Sequence, residues 1–193
     1  MMKKKQLLPY LLLFIFITIP FFVQAQKLTL DNETSFLQVL GTSSLHDWHI
    51  QAEKQSGNLV LSDADKLAIS SLTFSVESES LKSGKSAMDK KTFEALNTKK
   101  FKTIEFILTE VLSVHKKTEK RNDVSATGNL IINGVKKSIT LKFSIEKNEK
   151  VYIFEGSHKL LMTTFGIAPP KALFGTIKTG DEIEVKFKSI FKN

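Results

Sequence analysis

The sequence predicts an all-β protein, an antiparallel β-barrel of about eight strands with one short helix. Asn133-Gly134 separates two β-rich runs, and Asn-Gly tolerates positive φ at both central positions of a type I′ hairpin turn. After this turn, apolar and polar residues alternate from Ile139 to Glu146, as in a strand with one buried and one wet face. Several runs of this kind are long, and closing them into a barrel removes the exposed sheet edges.

Nine strands are predicted in order along the chain. Each is a run rich in β-branched and aromatic residues that is bounded by turn residues. At about 3.3 Å per residue, the longest would stand about 30–40 Å tall before tilt. The predicted ranges are 35–40, 48–53, 58–61, 67–77, 103–114, 123–132, 137–146, 151–163 and 182–191.

One segment between the strands has a different pattern. Ser86 and Asp89 have the spacing of a capping box, with serine at the N-cap and aspartate at N3. Phe93 and Leu96 follow at helical spacing. We therefore predict a helix over 86–97 that is capped by Ser86.

Residues 1–25 have the pattern of a secretory signal peptide. Three lysines at 3–5 precede an apolar run over 7–23, and Val23-Gln24-Ala25 offers a cleavage site with a small residue. The alternative is a retained transmembrane anchor, because the run comes close to spanning a bilayer. Pro20 and Ala25 favour cleavage. We predict a signal peptide at 1–25, one barrel domain at 26–193 that begins at Gln26, and a periplasmic or secreted location.

Composition limits the chemistry and the partners. The chain has no cysteine, which excludes thiol chemistry and disulfides. Its formal net charge is +8, and its lysines are scattered over alternating strand positions. This pattern is typical of a solvated barrel surface, and the alternative is a transient attraction to an anionic membrane surface. Nucleic acid is not expected as a partner, since the chain has one arginine and lacks interleaved surface aromatics.

No catalytic or metal-binding constellation is evident. His46 and His49 would point to opposite faces of a strand, and a metal site needs three or four convergent ligands. Gly84-Lys85-Ser86 lacks the earlier glycine of a phosphate-binding loop. His158 lies in an alternating strand, and we interpret it as a hydrogen-bonded wall residue rather than a catalyst. We expect no enzymatic activity, no metal and no cofactor.

Alternation alone leaves open what the apolar faces enclose. The chain has fifteen phenylalanines but only one tryptophan and two tyrosines. Phenylalanine supplies apolar area without a polar group. One alternative is an ordinary filled core. The other is a slot for an apolar ligand, which a barrel of about eight strands can hold.

Four blocks of sequence carry a family resemblance. The blocks are GTSSLHDW at 41–48; FSVESESLKSG at 74–84 with MD at 88–89 and FKTIEF at 101–106; ATGNL at 126–130 with NGVKK at 133–137; and TTFGI at 163–167 ahead of GDEI at 180–183. In order and spacing they resemble the YceI-like family, exported proteins with an extended lipocalin-like antiparallel barrel, over roughly residues 28–191.

The resemblance implies an interior tunnel for a long polyisoprenoid chain, such as an isoprenoid quinone or a polyprenyl phosphate. It implies a periplasmic carrier or storage protein without chemistry of its own. The family often has Arg-Asp at the start of the helix and an arginine before Phe165-Gly166. Here Met88-Asp89 and Thr163-Thr164 stand at those places, so the resemblance implies the apolar tunnel but does not define which residues contact a headgroup.

A second hypothesis is a filled barrel that acts as an interaction or stress-response module without a ligand. The oligomeric state is left open, with a dimer as one option. The residues that we expect to line the tunnel are Phe74, Val76, Ile104, Phe106, Leu108, Leu130, Leu141, Phe143, Phe154, Leu160 and Phe165.

Overall fold

The computed structural model describes residues 26–64 and 67–193. The predicted signal peptide and its cleavage site lie outside the described residues. Within the described ranges, no helix is long and apolar enough to cross a membrane.

The strands are β1 (Gln26–Leu30), β2 (Phe36–Ser43), β3 (Trp48–Ala52), β4 (Gln55–Asp63), β5 (Ala68–Glu77), β6 (Leu81–Lys82), β7 (Thr103–Lys116), β8 (Arg121–Ile132), β9 (Val135–Asn148), β10 (Val151–Leu161), β11 (Lys171–Ala172) and β12 (Ile177–Lys192), and the helix is α1 (Ser86–Ala95).

Eight of these strands close into an antiparallel barrel. Their order is β1-β4-β5-β7-β8-β9-β10-β12, and β12 returns to pair with β1, Leu30 lying opposite Phe191. β12 is 16 residues long, and its other half pairs with β2, which continues the sheet through β3 to β6. The predicted all-β antiparallel barrel with one short helix is confirmed.

The hairpin between β8 and β9 has the predicted turn. Asn133 has φ 51° and Gly134 has φ 74°, both in the left-handed region that a type I′ turn requires. Gly134 also lies against the ring of Phe101, where a methyl group would collide. Glycine is therefore needed at this position for both its conformation and its size.

Three short strands were not predicted, and some strand ends differ from prediction. β1 directly follows the predicted leader and has only five residues, while β6 and β11 have two each. β12 begins at Ile177 rather than 182, because it continues through Gly180-Asp181 with a register shift between Thr179 and Ile183. β10 ends at Leu161 because a 3₁₀ turn, Met162–Phe165, follows it.

One end of the barrel is filled, and we call it the closed end. It carries the turns around 117–120 and 149–150, and Lys147 Nζ donates to the carbonyl of Ala64 across it at 3.0 Å. The ring of Phe154 stacks on Phe143 at 5.5 Å and meets the edge of Phe191 at 5.1 Å. The buried cluster comprises Leu28, Leu59, Leu61, Leu67, Leu72, Phe106, Val124, Ala126, Phe143, Ile145, Tyr152, Phe154 and Phe191.

Helix α1 forms as predicted, but the predicted capping box is wrong. Lys85 occupies the N-cap position, without a side-chain cap, and Ser86 is the first helical residue. The carboxylate of Asp89 instead accepts hydrogen bonds from the N–H and the Oγ of Ser83, at 2.7 and 2.6 Å. Gly84, at φ 77°, turns the chain so that Ser83 rather than Ser86 meets the carboxylate. Burial by itself would raise the pKa of Asp89, but these bonds lower it below its usual value.

The Ser83–Asp89 contact predicts which serine matters for stability. Ser83→Ala removes a hydrogen bond to a charged group and should lower the free energy of unfolding by about 1 kcal/mol. Ser86→Ala, three residues along the chain, should change it by less than about 0.5 kcal/mol. Urea denaturation of both variants measures the difference. A larger loss for Ser86→Ala than for Ser83→Ala would contradict this assignment.

Candidate functional site

The opposite end of the barrel encloses a cavity of about 690 Å³. Its floor is the filled cluster of the closed end, where Phe106, Phe143, Phe154 and Phe191 contribute to both. Its wall is overwhelmingly apolar and comes from strands on all sides of the barrel. The barrel therefore combines the two alternatives that the sequence left open, a filled core at one end and an apolar slot at the other.

Nine of the eleven predicted tunnel residues line this cavity. They come from β5, β7, β8, β9 and β10, where alternation places them on the inner face. These nine are Phe74, Val76, Ile104, Phe106, Leu130, Leu141, Phe143, Phe154 and Leu160.

Leu108 and Phe165, the other two predicted tunnel residues, do not line the cavity. Leu108 lies two residues beyond Phe106 on β7, towards the closed end, and packs against the filled cluster there. Phe165 is fully buried in a separate cluster with Ile132, Met162 and Ile167. Alternation identifies the inner face of a strand, but not the height at which the interior changes from filled to open.

Other wall residues come from elements whose position the sequence did not reveal. Helix α1 lies across the open end, and none of its residues is buried. Met88 of the helix and Leu96, its C-cap residue, are half-buried, line the cavity and pack against buried residues of the wall. The helical spacing predicted an apolar face, but not that this face would cover a barrel end. Further wall residues that we did not predict are Leu37, Val39, Leu45, Trp48, Ile50, Ala87, Ala95, Ile167, Pro170 and Leu173.

The cavity reaches solvent beside the loop after β2 and the segment before β12. Leu45 and Leu173 line it, yet they are 66% and 67% exposed. The charged side chains of the lining are Lys85, Lys91, Lys171 and Glu105. Lys91 is paired with Glu94 at 2.8 Å. We call this opening the mouth.

His158 is a histidine of the inner wall. It lies on β10 between Phe154 and Leu160 and lines the cavity, as predicted. Burial lowers its pKa below the usual value, so the ring is neutral at neutral pH. Its ring forms no hydrogen bond with a residue of the described part of the chain.

His46 and Trp48 form hydrogen bonds around the loop between β2 and β3. Nδ1 of His46 contacts the carbonyl oxygen of Asp47 at 2.7 Å, and the Trp48 indole N–H donates to the carbonyl of Thr42 at 2.9 Å. The Trp48 ring lies on Gly41, where any larger side chain would collide with it. Across residues 26–64 and 67–193, no three His, Cys, Asp or Glu side chains come together as metal ligands.

A closed antiparallel barrel around an apolar cavity defines a class of small-molecule-binding folds. The sequence matches the YceI-like domain over residues 28–191, and the chain belongs to that family. No curated protein matches it.

Solved structures share this fold. The chain is similar to BcnA of Burkholderia cenocepacia, with a TM-score of 0.68 and 16% identity, covering 83% of this chain and 98% of that one. It is also similar to a polyisoprenoid binding domain from Saccharophagus degradans implicated in plant cell wall breakdown, with a TM-score of 0.68, 12% identity and coverage of 86% and 97%. The YceI protein of Campylobacter jejuni gives a TM-score of 0.57 at 17% identity, with coverage of 74% and 82%.

The lowered pKa of His158 predicts a dependence of stability on pH. The unfolded chain takes up a proton near the usual histidine pKa of about 6.5, whereas the folded protein takes it up only at lower pH. This contribution to stability is therefore fully present above that pKa and is lost as the pH falls below it. His158→Leu should flatten the fall in the free energy of unfolding between about pH 8 and about pH 5.

His49→Leu on the outer surface is the matched control, since His49 is exposed on β3. It should keep the wild-type dependence on pH. Equal flattening by both substitutions would contradict the role of burial at His158.

Proposed function

We propose that the protein is a non-catalytic carrier or storage protein that holds one long isoprenoid-type lipid in the barrel. The observation that carries this proposal is the deep apolar cavity, closed at one end by the filled cluster and open at the mouth. A linear apolar tail fits such a space better than a compact polar substrate, because the wall offers few hydrogen-bonding groups. Family membership and the polyisoprenoid binding domain among the similar structures support the same class of ligand.

The cavity volume sets a scale for the tail. A protein cavity of about 150 Å³ holds one benzene molecule, which has six carbons. By that measure a cavity of about 690 Å³ holds on the order of 25 carbons, or five to six isoprene units. An isoprenoid quinone and a polyprenyl phosphate share such a tail, and both remain candidates.

The proposed setting is outside the cytoplasm, in the periplasm or beyond. It rests on the signal-peptide pattern of residues 1–25.

The alternative function, a barrel without a ligand that acts as an interaction or stress-response module, would leave the apolar wall of the cavity without contacts.

Two tryptophan substitutions test the site. Leu141 is half-buried and touches the filled cluster, but unlike Leu108 it also lines the cavity, so Leu141→Trp adds bulk beside open space. It should reduce the lipid bound per protein and change the stability of the delipidated barrel by less than about 1 kcal/mol. Leu108→Trp is the control at the filled end, where overpacking should cost about 1–3 kcal/mol. Thermal unfolding of delipidated protein and quantification of bound lipid measure both effects.

If Leu141→Trp destabilises the delipidated protein as strongly as Leu108→Trp, the space at Leu141 is not available to a ligand. If wild-type protein never yields or takes up lipid, the carrier function is wrong and the ligand-free alternative replaces it.

Tail length provides a second prediction. We expect affinity for polyprenyl alcohols to rise with each isoprene unit until about five or six units are present, and then to level off, since further units extend past the mouth. Fluorescence displacement with a series of chain lengths measures this, and mass spectrometry of an organic extract identifies the native lipid. Affinity that does not depend on length would contradict burial of the tail in the cavity.

A further inference from the structure

The short segment between β11 and β12 exposes two large apolar side chains beside the mouth. Leu173 is 67% exposed, and Phe174 is fully exposed. Both have positive φ, 47° and 54°, a left-handed conformation that is unfavourable for residues with large side chains. Gly175 follows at φ 90°. The turn thus projects Phe174 into solvent, although an apolar cavity lies next to it.

The loop after β2 belongs to the same surface. The Ser44 N–H donates to the carbonyl of Lys178 at 2.9 Å, and the Lys178 N–H donates to Ser44 Oγ at 3.1 Å. These two bonds hold Leu45, which is 66% exposed, beside the β11–β12 segment. Leu45, Leu173 and Phe174 therefore form one exposed apolar edge of the opening, which we call the mouth tip.

Two lysines flank the mouth tip. Lys171 and Lys178 lie directly opposite each other in the antiparallel β11–β12 pair. Like charges in this position repel each other. Neither lysine forms an ion pair with any described residue of the chain. An external anionic surface would relieve this repulsion.

We propose that the mouth tip and the Lys171–Lys178 pair dock the protein onto a bilayer that contains anionic lipids. Apolar side chains that enter the acyl region beside lysines at the level of the phosphates are the combination by which proteins bind membrane interfaces. Docked in this way, the mouth faces the bilayer and a tail passes between the two without crossing water. That consequence rests on the proposed function, whereas the docking itself does not.

A bilayer suits this surface better than a second copy of the chain. A stable protein interface buries about 800 Å² on each partner. Three side chains supply only about half of that, since even an aromatic side chain buries about 150–250 Å². A twofold contact through the tip would also bring two lysine pairs together.

The test measures the binding of purified protein to phosphatidylcholine vesicles with and without phosphatidylglycerol, by co-sedimentation. The chain is used from Gln26 onward, because the strands that close the barrel begin at Gln26 and the earlier apolar run would itself bind vesicles. We expect binding to the anionic vesicles and its loss at high salt. Phe174→Ser should weaken it about tenfold or more.

The lysine variant tests the charge. Lys171→Gln with Lys178→Gln should weaken binding about 25-fold, at about fivefold for each lysine. The matched controls lie away from the mouth: Leu112→Ser, at an exposed leucine on β7, and Lys120→Gln with Lys150→Gln, at the turns of the closed end. Both controls should bind like wild type. Because all of these side chains are exposed, thermal unfolding should show every variant folded.

A fluorescent tryptophan in place of Phe174 reports directly whether the mouth tip enters the bilayer. The fluorescence of Phe174→Trp should shift to the blue on addition of anionic vesicles, whereas that of Leu112→Trp should not. The proposal is overturned if wild type does not prefer anionic vesicles, if the tip variants bind as tightly as their controls, or if the Phe174→Trp emission stays unchanged. It is equally overturned if sedimentation velocity shows that Phe174→Ser only dissociates a dimer.

These outcomes are separate from those that test the carrier function. Vesicle binding through the tip by a protein that takes up no lipid would support docking and refute the carrier. Lipid uptake from detergent micelles with no binding to anionic vesicles would support the carrier and overturn docking.

Discussion

The structure depends on how one strand, β12, closes the barrel. From Glu182 onward it pairs with β10 along one edge, while along the other edge it pairs first with β2 and then, near its end, with β1. Where β1 closes the ring, eight strands surround an interior that side chains can fill. Where β12 pairs with β2 instead, β2 and β3 extend the sheet and add residues to the cavity wall. The filled end and the cavity are two consequences of this pairing.

The cavity leaves apolar surface without full contacts, and the filled end offsets that cost. The aromatic contacts among Phe143, Phe154 and Phe191 lie in the filled cluster and contribute packing that does not depend on a ligand. Helix α1 covers the open end with half-buried side chains, of which Met88 and Ala95 pack against buried residues of the wall. The filled core and the open space thus lie at opposite ends of one fold.

The energetics of a long tail explain why the surroundings of the mouth matter. At about 0.8 kcal/mol for each buried CH₂-sized group, about 25 carbons amount to about 20 kcal/mol relative to water, at the limit of any measured affinity. Ordering of the tail offsets much of this. The free energy of moving the tail from a bilayer into the cavity is close to zero, since lipid tails are as apolar as the cavity wall. For the proposed carrier function, exchange of the tail with a membrane is therefore rapid only if the tail does not cross water, so the position of the mouth matters.

The sequence by itself determined the fold class, the long strands, the helix and nine residues of the inner wall. Hairpin chemistry at Asn133-Gly134 and strict alternation along β9 and β10 are local, so they can be read from neighbouring residues. The tertiary structure decided the capping partner of Asp89, the exclusion of Leu108 and Phe165 from the cavity, and the place of α1 over the open end. Each of these depends on the register in which distant segments of the chain pair and on the position of a side chain along the barrel axis. No local pattern of residues encodes either quantity.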